Sequence, residues 1–401
     1  MKSSHAQIGG FFVYSAHEKR EARVCVNSIN PKKNNQELIE EWERRGLEIP
    51  DRQRAERYLE FISYYRLSAY TIPFQKIGEH TFKSGTSFDD ILMLYVFDRE
   101  LRLLVMDAVE RIEVAVRAQI CNVHSLELGR DGDSYGAFWY LDGRHFSRKF
   151  AHFRLLANIE KQLLDEKVRL DRDINNINKR ERVSLETKQV LIGNAQKENF
   201  IRHYVSQYEE PKLPPCWMMV EMLTWGELSH LYAGLKSSAI KKKIAVNLGV
   251  NAEILESWLK ALNSIRNICA HHGRLWNKEL GVAIKIPKSD AIRWLSLELE
   301  DNVRFERRIY SILVALQTIL YKISPHSAWA KRLRRLLKKY PNIPRNNMGM
   351  PENWESDNFW KDAFGKDEPC TYTYECQCEM IDDKYRMTLK NIKKSSSFYR
   401  S

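Results

Sequence analysis

The long run from Ser87 to about His124 repeats apolar side chains at three- and four-residue steps and holds no proline or glycine. That period is typical of an amphipathic α-helix, and Ser87 with Asp90 resembles a capping box at its start. A helix of this length must bury its apolar face against other helices. The run therefore predicts a central helix of a bundle. Its apolar residues include Ile91, Leu94, Leu101, Leu104, Val105, Ala108, Ile112, Ala115 and Val116.

Breaks elsewhere in the chain predict three regions. We expect an N-terminal arm and small helical cap region over residues 1–85, with a short hairpin between Tyr70 and Ser84. A helical domain over residues 86–345 follows, and residues 346–401 form a C-terminal extension and tail. The helical domain contains a strongly charged, weakly apolar insertion at about 147–208, which is typical of exposed helices.

A second amphipathic helix is predicted between Asn251 and His271, with Asn251 as N-cap and Gly273 as its stop. At about 100° per residue, Asn267 and His271 lie about 40° apart on its polar face, whereas Arg266 lies about 140° from His271. The Arg and the His of one helix therefore do not easily hold the same phosphate. This favours a composite site, completed by the same helix of a second copy or by a second domain. The alternative is a monomer whose helix kinks before Gly273 and brings its own Arg266 and His271 together.

Arg266, Asn267 and His271 supply the groups that metal-free RNA cleavage needs. The ribose 2′-hydroxyl must lose a proton, the phosphate gains negative charge, and the 5′-oxygen must be protonated. Histidine can make the proton transfers, arginine can hold the anion, and asparagine can orient the histidine or the ribose. We predict these roles for the three residues, with His272 as the other candidate for the acid-base group. The spacing by itself is a weak signal, because it arises often by chance on helix surfaces.

The same three residues match the Arg-(polar)-x(3–5)-His motif of the HEPN superfamily of ribonucleases. More specifically, the chain resembles the Abi-like proteins of abortive-infection systems. The similarity runs in order through separate blocks between about residues 36 and 360, and ordered blocks are far more specific than one short motif. The blocks are residues 64–74, 95–117, 200–204, 214–229, the Arg-Asn-His segment and residues 348–354.

The resemblance implies an all-α, HEPN-type helical bundle and a metal-independent endoribonuclease that acts against phage without a cofactor. It also implies RNA as partner, including a dedicated small non-coding RNA, and a homodimer. A protein that binds a specific small RNA without cleaving it is the alternative.

Two further residues of the long helix bear on the site. Glu113 and Arg117 resemble the acidic-to-basic helix pair that supports the nuclease site in HEPN relatives, and an ordinary solvated pair is the other interpretation. Arg117 is followed by His124 at a nominal motif spacing. Because Ala118 stands where the motif needs a polar residue, we assign no second motif there.

Charge and composition agree with a polyanionic partner. The chain has 64 Lys and Arg against 52 Asp and Glu, a net charge of +12 and a pI near 9.2, which favours nucleic acid. No apolar run spans a bilayer and no signal-peptide core is recognised, so we predict a cytoplasmic protein with no membrane partner. The seven cysteines do not form a disulfide pattern. Because Cys370, Cys376 and Cys378 lack zinc-ligand spacing, we predict no metal site.

A basic amphipathic helix is predicted between Trp329 and Tyr340. Its leucines point inward and its cations outward. We predict that Lys331, Arg334 and Lys338 contact RNA phosphates. An anionic membrane surface is a weaker interpretation, since the helix has no large hydrophobic face, and a plain solvated face is the third.

Overall fold

The computed structural model of the chain describes residues 34–128, 134–296 and 304–365, with the backbone of residues 375–381 and 384–390. These residues are predominantly helical, which confirms the all-α fold class. The predicted N-terminal arm falls on residues 1–33, outside the described residues. The α-helices of the described ranges are α1 (Asn35–Arg44), α2 (Arg52–Ile62), α3 (Tyr64–Thr71), α4 (Phe88–Leu128), α5 (His152–Asn178), α6 (Leu185–Lys197), α7 (Phe200–Gln207), α8 (Cys216–Met222), α9 (Trp225–Gly234), α10 (Ser238–Asn247), α11 (Ala252–Ala270), α12 (Ile309–Ile323), α13 (Trp329–Lys339) and α14 (Asn358–Phe364).

The chain divides into two compact units, Met1–Glu100 and Leu101–Ser401. The division falls inside α4, which is the predicted long helix. Its start has the predicted capping box: the Ser87 backbone N–H donates to Asp90 Oδ2 at 2.9 Å, and the Asp90 N–H donates to Ser87 Oγ at 3.3 Å. The predicted three-region division stays a prediction.

In the first unit, α1, α2 and α3 bury one face each, and the predicted hairpin is largely replaced by helix. Tyr70 lies in α3, where its hydroxyl donates to the buried Asp98 Oδ2 at 2.7 Å. Residues Ile72–Phe74 form a 3-10 turn. Pro73 has no N–H for a strand pair and a φ suited to a helical turn. Only the antiparallel bridge between Gln75 and Phe82 remains of the hairpin.

The second unit is built around α12, whose residues from Ile309 to Leu320 are all buried. A helix that is apolar on every side can only be stable inside a core. The chain continues through α13, a 3-10 turn at Trp354–Ser356 and α14. Trp354 in the turn and Trp360 in α14 are fully buried. The Asp357 carboxylate caps α14 by accepting from the Phe359 N–H at 2.8 Å. Residues 346–365 therefore contribute to the core of this unit.

The charged insertion forms the predicted exposed helices, α5 and α6, followed by α7. Helices α5 and α6 are connected by residues 179–184. Arg202 of α7 ties the three helices together, because its guanidinium pairs with carboxylates of α5 and with Glu198. The α5 partners are Glu166 at 2.6 Å and Asp173 at 2.9 Å.

The C-terminal region contains a hairpin that the sequence analysis did not predict. Strands β1 (Glu375–Ile381) and β2 (Lys384–Lys390) pair antiparallel, with Glu375 opposite Lys390 and Ile381 opposite Lys384. The side chains of Cys370, Cys376 and Cys378 lie outside the described residues.

Candidate active site

Helix α11 presents the Arg-Asn-His segment at its carboxyl end. Asn251 is its N-cap, as predicted, and its side chain accepts from the Ile254 N–H at 2.9 Å. The predicted apolar face is buried. The predicted stop at Gly273 is wrong in detail, because the helix ends at Ala270 and His271 is the C-cap residue.

The turn after α11 is a Schellman motif with histidine in the left-handed position. His272 has a φ of +56°. The Gly273 N–H donates to the Ile268 carbonyl at 2.8 Å, and the His272 N–H donates to the Cys269 carbonyl at 3.1 Å, as this motif requires. A left-handed non-glycine residue costs about 1–2 kcal/mol, and such strain is concentrated at functional sites. Gly273 is instead needed for close approach, since a Cβ there would lie 3.3 Å from the Ile268 carbonyl oxygen.

None of the three predicted site residues is fully buried. Asn267 and His271 are exposed, and Arg266 is half-buried. Within the part of the chain that the structure describes, the side chains of these residues form no hydrogen bond or ion pair. All three groups are therefore available to an external ligand.

Arg266 and His271 diverge on a helix that stays regular. The His271 N–H still donates to the Asn267 carbonyl at 3.0 Å, so no kink precedes the C-cap. Five residues of regular helix separate Arg266 from His271 by about 7.5 Å along the axis and about 140° around it. Asn267 and His271 share a face, as predicted. The groups of one chain do not converge on a single phosphate.

Arg102 of α4 holds the turn that follows the site, a contact that the sequence analysis did not assign. It is only 5% exposed, and its Nη1 donates to the Gly273 carbonyl at 3.2 Å. A buried arginine must have its N–H groups bonded, so it constrains the carbonyl that it meets. The signal was present in the sequence, since Arg102 lies on the apolar face of α4 with Leu101 and Val105.

A protein-family model described as Abi-like protein matches residues 57–277, more than half of the chain. The chain belongs to the Abi-like family. The match contains Arg102 and the whole Arg-Asn-His segment and ends just after it. Membership of this family indicates a role in abortive-infection defence. No curated protein and no solved structure matches the chain.

In this Abi-like chain, Glu113 and Arg117 form an ion pair that is largely buried and holds the end of α8 against α4. It is not a solvated surface pair. Arg117 is 8% exposed. Its guanidinium pairs with Glu113, donates to the Val220 carbonyl, and donates to the Leu223 carbonyl at 2.7 Å. These carbonyls lie at the carboxyl end of α8. Glu113 and Arg117 lie 11 and 15 residues beyond Arg102, about 16–22 Å along α4, so the structure does not bring them to the His271 end.

His124 is also buried and structural, in agreement with the absence of a second motif there. It is 1% exposed, and its ring stacks on Trp139 with centroids 3.8 Å apart. Its Nδ1 lies 3.1 Å from the Ile120 carbonyl oxygen. Burial lowers the pKa of His124 to about 4, because the charged ring would lose its hydration.

The basic helix α13 lies beyond the residues matched by the Abi-like model. Its leucines are buried, as predicted, and Lys338 is exposed while Lys331 is half-buried. Arg334 is already engaged, since its Nε donates to Glu355 Oε2 at 2.7 Å and its guanidinium lies 4.8 Å from the centre of the Phe364 ring. Lys338 Nζ is 3.9 Å from the same carboxylate. A phosphate must therefore compete with Glu355 for two of the three predicted cations.

The turn after α11 and the start of α13 both contact the same stretch of α4, between Arg102 and Asp107. Arg102 contacts Gly273, and the Trp329 Nε1–H donates to the Leu104 carbonyl at 2.8 Å. Arg332 pairs with Asp107. At 100° per residue, Leu103 lies between Arg102 and Asp107 around the axis of α4, and Leu103 is 62% exposed. The exposed side chain of Leu103 on α4 thus lies between the turn at His272–Gly273 and the basic helix α13.

Among the residues that the structure describes, no three His, Cys, Asp or Glu side chains converge as a metal-binding group would require. Within those same residues, no helix has the length and apolar content to cross a membrane.

Proposed function

We propose that this Abi-like protein is a HEPN-type, metal-independent endoribonuclease of an abortive-infection system. The observation that carries the proposal is the end of α11, where Arg266, Asn267 and His271 leave a regular helix with no partner among the described residues. Unpaired arginine, asparagine and histidine side chains at one helix end supply the anion-binding group and the acid-base group that RNA cleavage needs. The strained His272 beside them adds support, because strain of this kind persists where function requires it.

The reaction uses the substrate's own 2′-hydroxyl as nucleophile. A base takes the 2′-proton while the 2′-oxygen attacks phosphorus, and the bond from phosphorus to the 5′-oxygen breaks. An acid protonates that oxygen, which leaves a 2′,3′-cyclic phosphate and a 5′-hydroxyl. His271 is the proposed acid-base group, Arg266 stabilises the charge that develops on the phosphate, and Asn267 orients His271 or the ribose.

The active form in this proposal is a homodimer. Because Arg266 and His271 diverge on one helix, a two-fold axis near Ala270 would set Arg266 of one protomer beside His271 of the other. Ala270 is exposed and small, which permits close approach of two helices.

A 5′-labelled single-stranded RNA incubated with the full chain and EDTA tests the reaction. We expect cleavage with a 2′,3′-cyclic phosphate on the 5′ fragment. His271→Ala should slow it strongly, and His326→Ala should not, because His326 is an exposed histidine just beyond the end of α12. Tight RNA binding without cleavage, in wild type and His271→Ala alike, would favour the RNA-binding alternative.

Mixing two inactive chains tests the composite site. Arg266→Ala and His271→Ala chains, mixed under conditions that allow subunits to exchange, should regain part of the activity, since a mixed dimer has one intact Arg-His pair. Each chain mixed with itself is the control. A species that is monomeric by light scattering at the assay concentration and still cleaves RNA would overturn the dimer.

A further inference from the structure

Two buried cysteines, one on α4 and one on α8, face each other away from the turn at His272–Gly273. Cys121 Sγ and Cys216 Sγ are 3.1 Å apart, about 1 Å longer than a disulfide bond. Cys121 is 5% exposed and Cys216 is fully buried. Both are reduced thiols in this structure.

The fold holds these sulfurs in place from two sides. Cys121 lies one helical turn after Arg117, whose guanidinium binds the carbonyls of Val220 and Leu223 at the end of α8. Cys216 is the first residue of the same helix. Arg117 therefore fixes one end of α8 against α4 while the thiols meet at the other. Little movement separates the reduced pair from a bonded one.

The two thiols are not equivalent. A hydrogen bond between the two sulfurs lowers the pKa of Cys216 and raises the pKa of Cys121. The Ser125 hydroxyl, one turn after Cys121, lies 3.1 Å from Cys216 Sγ and also lowers the pKa of Cys216. Since the thiolate is the reactive form, Cys216 is the nucleophile and Cys121 the resolving thiol.

We propose that Cys121 and Cys216 are an oxidation site that closes to a disulfide when the protein meets hydrogen peroxide. The Cys216 thiolate attacks one peroxide oxygen, the O–O bond breaks, and hydroxide leaves, so that Cys216 becomes a sulfenic acid. Cys121 sulfur then attacks Cys216 sulfur. The S–O bond breaks, and the departing hydroxide takes the Cys121 proton as water. The inference is independent of the proposed nuclease activity.

Burial decides which oxidant fits the site. A fully buried sulfur is closed to bulky disulfides such as oxidised glutathione, whereas hydrogen peroxide is small enough to reach it when the fold opens locally. The disulfide would close a loop of about 95 residues between α4 and α8, and a cross-link over such a loop strongly restricts the unfolded chain. Oxidation should therefore raise the thermal stability of the folded protein.

The experiment treats the full chain with hydrogen peroxide, blocks remaining thiols with N-ethylmaleimide, and maps peptides without reduction. We expect a cross-linked pair of peptides containing Cys121 and Cys216, two hydrogens lighter than the free peptides, and a rise in Tm of roughly 5–10 °C. A reducing agent should reverse both changes.

Variants separate the mechanism from general oxidation. Cys121→Ser should give no cross-link and leave a Cys216 sulfenic acid that dimedone captures when the peroxide-treated protein is unfolded in its presence. Ser125→Ala keeps both sulfurs and should slow cross-linking several-fold. Cys269→Ser, which removes another buried thiol on α11, should leave the cross-link intact. Recovery of both Cys121 and Cys216 as N-ethylmaleimide adducts from peroxide-treated, folded wild-type protein would overturn the proposal, even if a variant fails to fold.

Discussion

The chain contains two helical segments in which an arginine precedes a histidine at nominal nuclease spacing, and they have opposite surroundings. Arg117 and His124 of α4 are 8% and 1% exposed, and both have partners inside the core. His271 of α11 is exposed and Arg266 is half-buried, and neither side chain has a partner among the described residues.

The contrast shows that spacing along a helix does not define a catalytic pair. In α4, burial lowers the pKa of the histidine and uses the arginine to hold backbone carbonyls. In α11, the histidine follows the last helical residue and is exposed. The residue that follows each arginine already distinguishes the two segments in the sequence, since Asn267 is polar and Ala118 is not.

The largest expected effect is on catalysis at the exposed segment. His271→Ala should reduce RNA cleavage by about 10²- to 10⁴-fold, the usual contribution of a positioned acid-base group, with little change in RNA affinity or Tm. His272→Gly is the matched variant, because glycine adopts the left-handed φ without strain. If His272→Gly loses cleavage and His271→Ala keeps it, His272 is the acid-base group.

Removal of the buried Arg117 side chain should lower the stability of the folded protein. Arg117→Ala leaves the Val220 and Leu223 carbonyls and the Glu113 carboxylate without their partner, which should lower the free energy of unfolding by about 2–4 kcal/mol. Arg266→Ala should change it by less than about 0.5 kcal/mol. Urea unfolding followed by circular dichroism measures both. Equal effects of the two variants would remove the contrast between the segments.

The buried His124 should make the free energy of unfolding depend on pH. Its folded pKa is about 4, below an unfolded value of about 6.5, so above pH 6.5 both states are neutral. As the pH falls from 6.5 to 4, only the unfolded chain takes up the proton, and folding should lose about 3 kcal/mol from this group. The loss is measured as the difference between wild type and His124→Phe, which keeps a ring against Trp139. Parallel pH profiles for the two proteins would show that His124 is not the cause.

The smallest effects are expected at the basic helix α13. They test whether its cations bind RNA together with the segment of α11 that contains Arg266 and His271. Replacing Lys331, Arg334 and Lys338 by Gln should flatten the plot of log RNA affinity against log salt by about one unit per lost contact. Glu355→Gln should tighten binding several-fold, because it releases Arg334 and Lys338 from their carboxylate. Lys361→Gln on α14 controls for net charge. An unchanged slope in the triple variant would assign α13 to an ordinary solvated face.

Periodicity and caps were sufficient for the helices that are amphipathic in the usual way. The capping box at Ser87, the N-cap at Asn251 and the apolar face of α11 depend only on residues near each other in sequence, so local physics determines them. The divergence of Arg266 and His271 follows from the same regular geometry. The prediction of a hairpin around Pro73 was largely wrong, because the aromatic and β-branched residues there fit a strand or a helical turn equally well.

What the sequence alone determined is the all-α class, the position of α11 and the three polar groups at its end. Only the tertiary structure decided that His124 is buried and His271 exposed, that Arg117 fastens α8, and that Arg102 reaches the turn after the site. It also decided that Glu355 holds Arg334, and that two cysteines 95 residues apart lie in contact. Each of these depends on contacts between distant segments, and a residue's burial and charge partners are set by those contacts rather than by its neighbours in sequence.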